Sequence, residues 1–360
     1  MDQQFDSAAA EPSPGPSSRY LQVRVRAVCQ ETADASSLVL DVPPAAQARF
    51  AYSPGQFLTL RLPIGDGHVP RCYSMSSAPG LDAGLRVTVK RVAGGRGSNW
   101  ICDHLKAGDM LEVLPPAGVF TPRSLDGDFL LFAGGSGITP VYSILRSVLA
   151  AGGSGRILLV YANRDVQSVI FRAELQALAA AHPERLQVLH WLDVLQGVPA
   201  VAQLAQLARG WNAAQAFICG PAPFMSACEA ALALLDMAPA QIRVERFVSL
   251  PDEVQTAAAP GAAVAGPGQA CAVEVRYQGQ LLRFDCAANE SVLEAAQRAR
   301  IELPHSCMAG MCASCMCQVE SGSVHLRAND ALDQRDLSRG WTLTCQALPT
   351  SPTLTLKFAE

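Results

Sequence analysis

Residues 304–322 read PHSCMAGMCASCMCQVESG, and the cysteine spacing in this stretch governs how the C-terminal block is understood. Four residues separate Cys307 from Cys312, and two separate Cys312 from Cys315. Cys345 follows downstream in LTCQALP. C-x4-C-x2-C with a distant fourth cysteine is the plant-type spacing of a [2Fe–2S] site. Iron and sulfide need soft thiolate ligands. The small residues Ala309, Gly310, Ala313 and Ser314 let the backbone wrap closely, so that amide N–H groups can point at the sulfurs and help set the potential. The expected metal ligands are therefore Cys307, Cys312, Cys315 and Cys345. Cys317 is a further thiol beside them. Used in place of Cys345, it would turn the same loop into a zinc knuckle.

Around this loop, residues 271–360 have the pattern of a small α+β domain. A hairpin is expected at 272–277 and 280–284, turning at Gln278-Gly279. A helix should run from about Ser291 to Arg300, because Ser291 and Glu294 have capping-box spacing. Closing strands fall at 318–319 and 353–358. Residues 250–270 are rich in Ala, Pro and Gly and lack an apolar face, so they are expected to be a linker. A flexible chain of that length spans about 25 Å.

The two upstream blocks differ in rhythm. In residues 19–125, Leu21, Val23, Val25 and Ala27 alternate with polar residues, as do Leu85, Val87 and Val89. Breakers such as Pro43-Pro44, Pro54-Gly55 and Pro79-Gly80 separate the strands. That pattern indicates an antiparallel barrel or sandwich. In residues 126–249, apolar runs (129–133, 157–162, 186–192, 216–219, 242–247) alternate with helical stretches (140–150, 171–181, 200–209, 223–235). Such alternation indicates a doubly wound parallel sheet. Residues 1–18 are expected to be a disordered tail, since Asp2 and Asp6 stand where a secretory signal would be positive.

The totals narrow the function classes. Across 360 residues, 49% are hydrophobic and 17% charged, enough for packed cores. A net charge of −4 argues against general nucleic-acid affinity. No apolar run approaches the ~20 residues of a membrane span. The expected location is the cytoplasm, with no nucleic-acid or membrane partner. There the 12 cysteines would not build a disulfide framework. Most are scattered singly, as small buried hydrophobes would be.

Three further motifs carry chemistry. In Arg71-Cys72-Tyr73-Ser74-Met75-Ser76-Ser77, extended geometry points Arg71 and Tyr73 the same way. The guanidinium suits a phosphate, the phenol can lie against a flavin ring, and Ser74 can bond its reactive edge. Gly94-Gly95-Arg96-Gly97-Ser98-Asn99-Trp100 is a turn leading into a helix, whose N-terminus suits a pyrophosphate. Strand 129–133 runs into Gly134-Gly135-Ser136-Gly137-Ile138-Thr139-Pro140, where Thr139 fits a helix N-cap and Pro140 the first helical position. A plain tight turn would also explain that run. Cys219-Gly220-Pro221 ends another strand at the same sheet edge. Its thiol can flank a nicotinamide or can be a buried structural cysteine.

Together these motifs resemble the ferredoxin–NADP⁺ reductase superfamily, with a C-terminal block similar to plant-type ferredoxins. The order flavin domain, nicotinamide domain, ferredoxin resembles the reductase components of bacterial multicomponent oxygenases. YANRDVQSVIF, VERFVSLP and NDALDQRDLSRGWTLTCQA are most similar to reductase components of 3-ketosteroid 9α-hydroxylases, and next to phenylacetyl-CoA epoxidase reductases. The resemblance implies an FAD-binding antiparallel β-barrel, an α/β nicotinamide domain and a β-grasp ferredoxin domain. It implies that Arg71, Tyr73 and Ser74 hold the flavin and that Gly97 and Ser98 bind its pyrophosphate. Gly135, Thr139 and Pro140 would shape the nicotinamide cofactor's phosphate site. Cys219 and Gly220 would flank the nicotinamide, with Glu245 and Phe247 near the flavin. Tyr73, Ser74, Cys219 and Glu245 are the expected catalytic residues. Arg164 lies near the expected adenosine ribose and can meet the 2′-phosphate of NADPH, but Asp165 beside it favours NADH.

The implied activity moves a hydride from NADH to FAD and single electrons through the cluster to an oxygenase component. The rival classes are a redox-sensing binding protein and a zinc-stabilised adaptor. Neither needs a complete nicotinamide site.

Overall fold

The computed structural model describes residues 20–65, 67–247, 270–305, 308, 310, 315–329, 332 and 334–358. The tail expected at 1–18 lies outside them. So do all but one residue of the expected linker, together with Cys307 and Cys312.

The first unit contains β1 (Leu21–Thr32), β2 (Ala35–Asp41), β3 (Phe57–Ile64), β4 (Gly67–Ser74), β5 (Leu85–Lys90), helix α1 (Arg96–His104) and β6 (Met110–Val113). The strands form an antiparallel sheet in the order β4-β3-β6-β1-β2-β5. Its two edges meet where Met75 bridges Val87 and the Ser76 N–H donates to the Arg86 carbonyl at 2.7 Å. This closure removes free edges and makes a barrel. Alternation places Val23, Val25, Leu38, Leu40, Leu58, Leu60, Val87 and Val89 in one core, with Ile101 of α1 packed among them. Register shifts at Val25/Ala27 and Gln30/Thr32 mark bulges in β1.

The second unit contains β7 (Phe129–Gly134), α2 (Ile138–Ala150), β8 (Ile157–Asn163), α3 (Arg172–Ala181), β9 (Leu186–Leu192), α4 (Asp193–Gln196), α5 (Val201–Ala208), β10 (Gln215–Cys219), α6 (Ala222–Ala233) and β11 (Ile242–Glu245). All its strands are parallel, in the order β11-β10-β7-β8-β9. Residues of α2 and α3 pack on one face, and residues of α5 and α6 on the other. Burial on both faces explains the continuous apolar strands. The strand order reverses between β7 and β10, the crevice where such sheets bind ligands.

The third unit contains β12 (Cys271–Tyr277), β13 (Gln280–Cys286), α7 (Val292–Arg298), β14 (Met316–Ser321), β15 (Val324–Leu326), α8 (Gln334–Ser338), β16 (Trp341–Leu343), β17 (Ala347–Pro349) and β18 (Thr353–Lys357). The main sheet runs β13-β12-β18-β14-β16, with β12 and β18 parallel at its centre. The hairpin turns through Gln278 (φ 51°) and Gly279 (φ 71°), the two left-handed residues of a type I′ turn. Ser291 caps α7: its hydroxyl accepts the Glu294 N–H, and the Glu294 carboxylate accepts the Ser291 N–H at 2.7 Å. The helix buries Val292, Leu293, Ala295 and Ala296 against the sheet. No helix among the described residues is long and apolar enough to cross a membrane.

The first two units share a dense polar seam. The Ser143 hydroxyl on α2 donates to the Ser77 carbonyl at 2.6 Å. Arg146 grips Asp82 with two hydrogen bonds, 2.5 and 3.0 Å. The Arg86 guanidinium lies over the rings of Phe171 (4.9 Å) and Tyr142 (5.5 Å), which stack on each other at 4.4 Å. Burial alone would raise the Asp82 carboxyl, but the Arg146 and Ala78 hydrogen bonds outweigh it and hold the group below the usual carboxylate range. A depressed carboxyl stabilises the fold above its ordinary pKa, and that contribution is lost as pH falls through the folded value. Asp82→Asn should therefore cost about 1 kcal/mol at neutral pH. Calorimetric melting of variant and parent should converge as the medium becomes acid enough to protonate Asp82.

Candidate active site

The flavin-type motif is assembled by β4 and α1. On β4, Arg71 lies opposite Leu60 and Tyr73 opposite Leu58, so both occupy one face. Gly97 in the first turn of α1 packs against them. A Cβ there would stand 2.8 Å from Arg71 Cγ and 3.3 Å from the Tyr73 hydroxyl oxygen. Burial pushes the Tyr73 phenol up, while the nearby Arg71 cation opposes that. Ser74, one step along the strand, is buried, and its hydroxyl has no hydrogen-bond partner among the described residues. A buried hydroxyl without a partner is costly, so the position wants a polar ligand atom. Ser98 has a different local duty: its hydroxyl accepts the Val92 N–H at 3.1 Å and steadies the Gly94-Gly95 turn.

The second site lies at the switch point. Residues 135–137 wind as a 3-10 turn directly into α2, whose N-cap is Gly137 without a side-chain cap. This corrects the expectation that Thr139 is the cap and Pro140 the first helical residue. The helix starts earlier, and the Thr139 hydroxyl donates back to the Ser136 carbonyl at 3.1 Å. Gly135 needs its positive φ of 53°. Its carbonyl is held by the Tyr161 hydroxyl at 3.1 Å. The Gly135 Cα faces Lys90 of the barrel, whose Nζ would be 3.9 Å from a Cβ placed there.

Gly137 presses on the end of β10, where an added Cβ would sit 2.1 Å from the Cys219 carbonyl oxygen and 2.7 Å from the Gly220 nitrogen. Thus the two nucleotide-type turns touch through backbone. The Cys219 side chain is wholly buried, and burial raises its thiol, reinforced by Glu245 opposite it on β11. Phe247 follows β11 and is 45% exposed. Arg164 follows β8, is exposed, and bonds Asp165 at 2.8 Å.

The third site shows two of its four expected thiols. Cys315 and Cys345 are buried with their sulfurs 3.3 Å apart, well beyond a disulfide bond of ~2.05 Å. Thr344 holds them in register: its N–H donates to the Cys315 carbonyl, and its own carbonyl accepts the Leu293 N–H of α7. The Gln346 amide donates to the Met308 carbonyl at 2.9 Å, tying the downstream cysteine strand to the loop. Cys317 lies on β14 opposite Thr342, wholly buried in the apolar core, where burial pushes its thiol well up.

Family models agree with this layout. An oxidoreductase FAD-binding domain matches residues 22–121, an oxidoreductase NAD-binding domain residues 131–230, and a 2Fe-2S iron-sulfur cluster binding domain residues 275–350. The chain is 46% identical over 343 residues to the 3-ketosteroid-9-alpha-monooxygenase ferredoxin reductase component of Rhodococcus rhodochrous. That match covers 95% of this chain and 97% of the relative. The chain belongs to this family of monooxygenase reductases. A 1,2-phenylacetyl-CoA epoxidase component from Escherichia coli (strain K12) is 35% identical, covering 94% of this chain and 98% of the relative. Phthalate dioxygenase reductase shares the fold, with a TM-score of 0.60 at 23% identity over 94% of this chain and 98% of that one.

As in that family, the chain carries FAD-, NAD- and [2Fe–2S]-binding domains. The partnerless Ser74 hydroxyl and the Arg71–Gly97–Tyr73 contact fit a flavin nucleotide. The open N-terminus of α2 fits a phosphate, and the Cys315–Cys345 thiol pair fits iron. Three features escaped the sequence: Lys90 beside Gly135, Tyr161 under the same turn, and unpaired polar groups at Asn163 and Asp193. The hint for the latter two was their place at or near the carboxyl ends of parallel strands, whereas Lys90 ends β5 of the antiparallel barrel. Cys345→Ser should lose the cluster's visible absorption and most of the bound iron. Cys317→Ala should keep both, at a stability cost of about 1–2 kcal/mol for the vacated core volume.

Proposed function

We propose that this chain is the reductase component of a 3-ketosteroid 9α-hydroxylase, drawing electrons from NADH and delivering them singly to the oxygenase component. The observation that carries this reading is the 46% identity extending over 95% of the chain and 97% of the relative, through all three units and their junctions. A bound flavin supplies the conversion between two-electron and one-electron transfer, and a bound cluster supplies a one-electron carrier.

The protein's part is to hold and orient. In this reading Arg71 grips the flavin phosphate, Tyr73 lies along the ring, and Ser74 offers its partnerless hydroxyl to the reactive edge. Gly97 lets the pyrophosphate approach α1, and Ser98 keeps the preceding turn in shape. Gly135, Thr139 and Pro140 form the turn beneath the nicotinamide nucleotide's phosphates, beside Lys90, which is paired with Asp34 at 3.6 Å. Cys219 and Gly220 close the floor of the nicotinamide site, while Glu245 and Phe247 border it from β11. Cys307 and Cys312 complete the ligand set of Cys315 and Cys345. The working divisions are 19–125, 126–249 and 271–360, joined by a linker at 250–270. In this reading the chain works in the reducing cytoplasm, where cysteines stay available as thiolates.

Reconstitution tests the reading. The purified chain, NADH and the oxygenase component of a 3-ketosteroid hydroxylase should convert a 3-ketosteroid to its 9α-hydroxy product. Turnover only with the phenylacetyl-CoA epoxidase oxygenase would overturn the steroid assignment. Ending the chain after Ala259 should preserve NADH-driven ferricyanide reduction and abolish fast cytochrome c reduction, measured in the same spectrophotometric assay. Undiminished cytochrome c reduction would sink the proposed role of the third unit.

A further inference from the structure

Arg86 stands on β5 of the barrel, and its side chain ends in the second unit. Its backbone is fastened to the end of the flavin-type motif. The Ser76 N–H and hydroxyl both donate to the Arg86 carbonyl, at 2.7 and 3.3 Å, and the Arg86 N–H donates to the Ser77 hydroxyl oxygen at 3.0 Å. One guanidinium nitrogen also donates to the Ser76 carbonyl at 3.4 Å. The Nε atom is buried without a hydrogen-bond partner among the described residues. Aromatic faces take the place of acceptors there, since the group lies over Phe171 and Tyr142. A planar, weakly hydrated guanidinium is the cation suited to such a position.

Both rings are tied to the Gly135 turn. Tyr142 stands on α2, which starts directly after residues 135–137. Phe171 precedes α3 with φ 58° and ψ 29°. A left-handed backbone is unusual for a bulky side chain and persists only where the surroundings enforce it. Here it goes with a ring stacked on Tyr142, the planes 20° apart. Just before it, the Ile170 N–H donates to the Tyr161 hydroxyl at 3.2 Å, and that hydroxyl donates to the Gly135 carbonyl at 3.1 Å. The stack thus reaches the turn by two routes, one along α2 and one through Tyr161. Through Arg86 it reaches Ser76 and Ser77, which follow Ser74 in the flavin-type motif.

The other seam contacts cannot replace this one. Ser143 and Arg146 both belong to α2. A body held at two points can still turn about the line through them, and a third point off that line stops it. Phe171, outside α2, supplies the third point. A misplacement of 1 Å at the reacting atoms can cost about a hundredfold in rate.

We propose that Arg86 is a positioning residue for hydride transfer: its guanidinium, seated on the Tyr142–Phe171 stack, fixes the nucleotide-side turn against the flavin-side strand. This rests on the nicotinamide-reductase function above. It assigns Arg86 no contact with either cofactor, so the residue governs the transfer step and not binding.

The test uses the full-length holoprotein without oxygen, following flavin reduction by NADH in a single turnover. Arg86→Met keeps the length of the side chain and removes the cation. It should slow reduction about tenfold or more, while ADP-ribose, titrated calorimetrically, binds as tightly as to the parent. The isotope effect with NADH deuterated at the transferred position should rise. Arg86→Lys should recover part of the rate, since it restores the charge without the planar group. Phe171→Leu reaches the same contact from the other unit and carries the test should Arg86→Met fold poorly. Because each single change removes one shared contact, the double variant should be no slower than the slower single variant. Losses that multiply in the double variant would overturn the proposal, as would flavin reduction at the parent rate in Arg86→Met. ADP-ribose binding that weakens in step with the rate would also overturn it, since the turn itself would then be damaged. A parent protein whose flavin NADH does not reduce would instead overturn the nicotinamide function.

Discussion

The hydrogen bond from Ser143 to the Ser77 carbonyl joins the two halves of the proposed hydride site. Hydride transfer needs donor and acceptor in direct contact, and small misplacement is expensive in rate. Here those two groups belong to separately built units, so their alignment depends on the seam between a barrel and a parallel sheet. Ser77 follows the Arg71–Ser74 segment almost immediately, and Ser143 lies less than two turns into the helix that begins at the Gly135–Gly137 loop. One buried contact therefore references both sites to each other. Arg146–Asp82 and the Arg86 stack on Tyr142 and Phe171 add lateral restraint. A polar seam of this kind is usual between domains of one chain, and here it is fixed by directional contacts.

The cluster unit solves its positioning problem internally. Thr344 bonds Cys315 on one side and Leu293 on the other, so the helix capped by Ser291 and Glu294 is coupled to the ligand loop. The hydrophobic core that buries Cys317 lies against the same strands. Cys317 thus supports the sheet by packing, which a small buried thiol does well.

Features set by local rules could be read from the sequence. The Ser291–Glu294 cap, the Gln278-Gly279 turn, the alternation in β1 and β5 and the strand–helix rhythm from Phe129 onward each follow from interactions within a few residues. The cysteine spacing is local in the same sense. The start of α2 was misjudged because Thr139 and Pro140 have good cap chemistry. The Gly-rich turn coils as a 3-10 segment where Gly137 presses on Cys219 and Gly220, 82 and 83 residues away in sequence. The Arg86 stack is illegible for the same reason, since Tyr142 and Phe171 belong to another unit.

The seam at the switch point also constrains where cofactor choice can reside. Gly137 meets the Cys219 carbonyl and the Gly220 nitrogen so closely that no Cβ fits, and Gly134 is held against Pro221 in the same way. The centre of the nucleotide site is therefore backbone, and backbone sees the same pyrophosphate and nicotinamide in both cofactors. The cofactors differ at one ribose oxygen far from the reacting carbon. Discrimination has to come from side chains at the outer strand ends, where the sheet no longer dictates glycine. There the paired Arg164 and Asp165 present little net charge. A site whose middle cannot vary must place its selectivity at its rim.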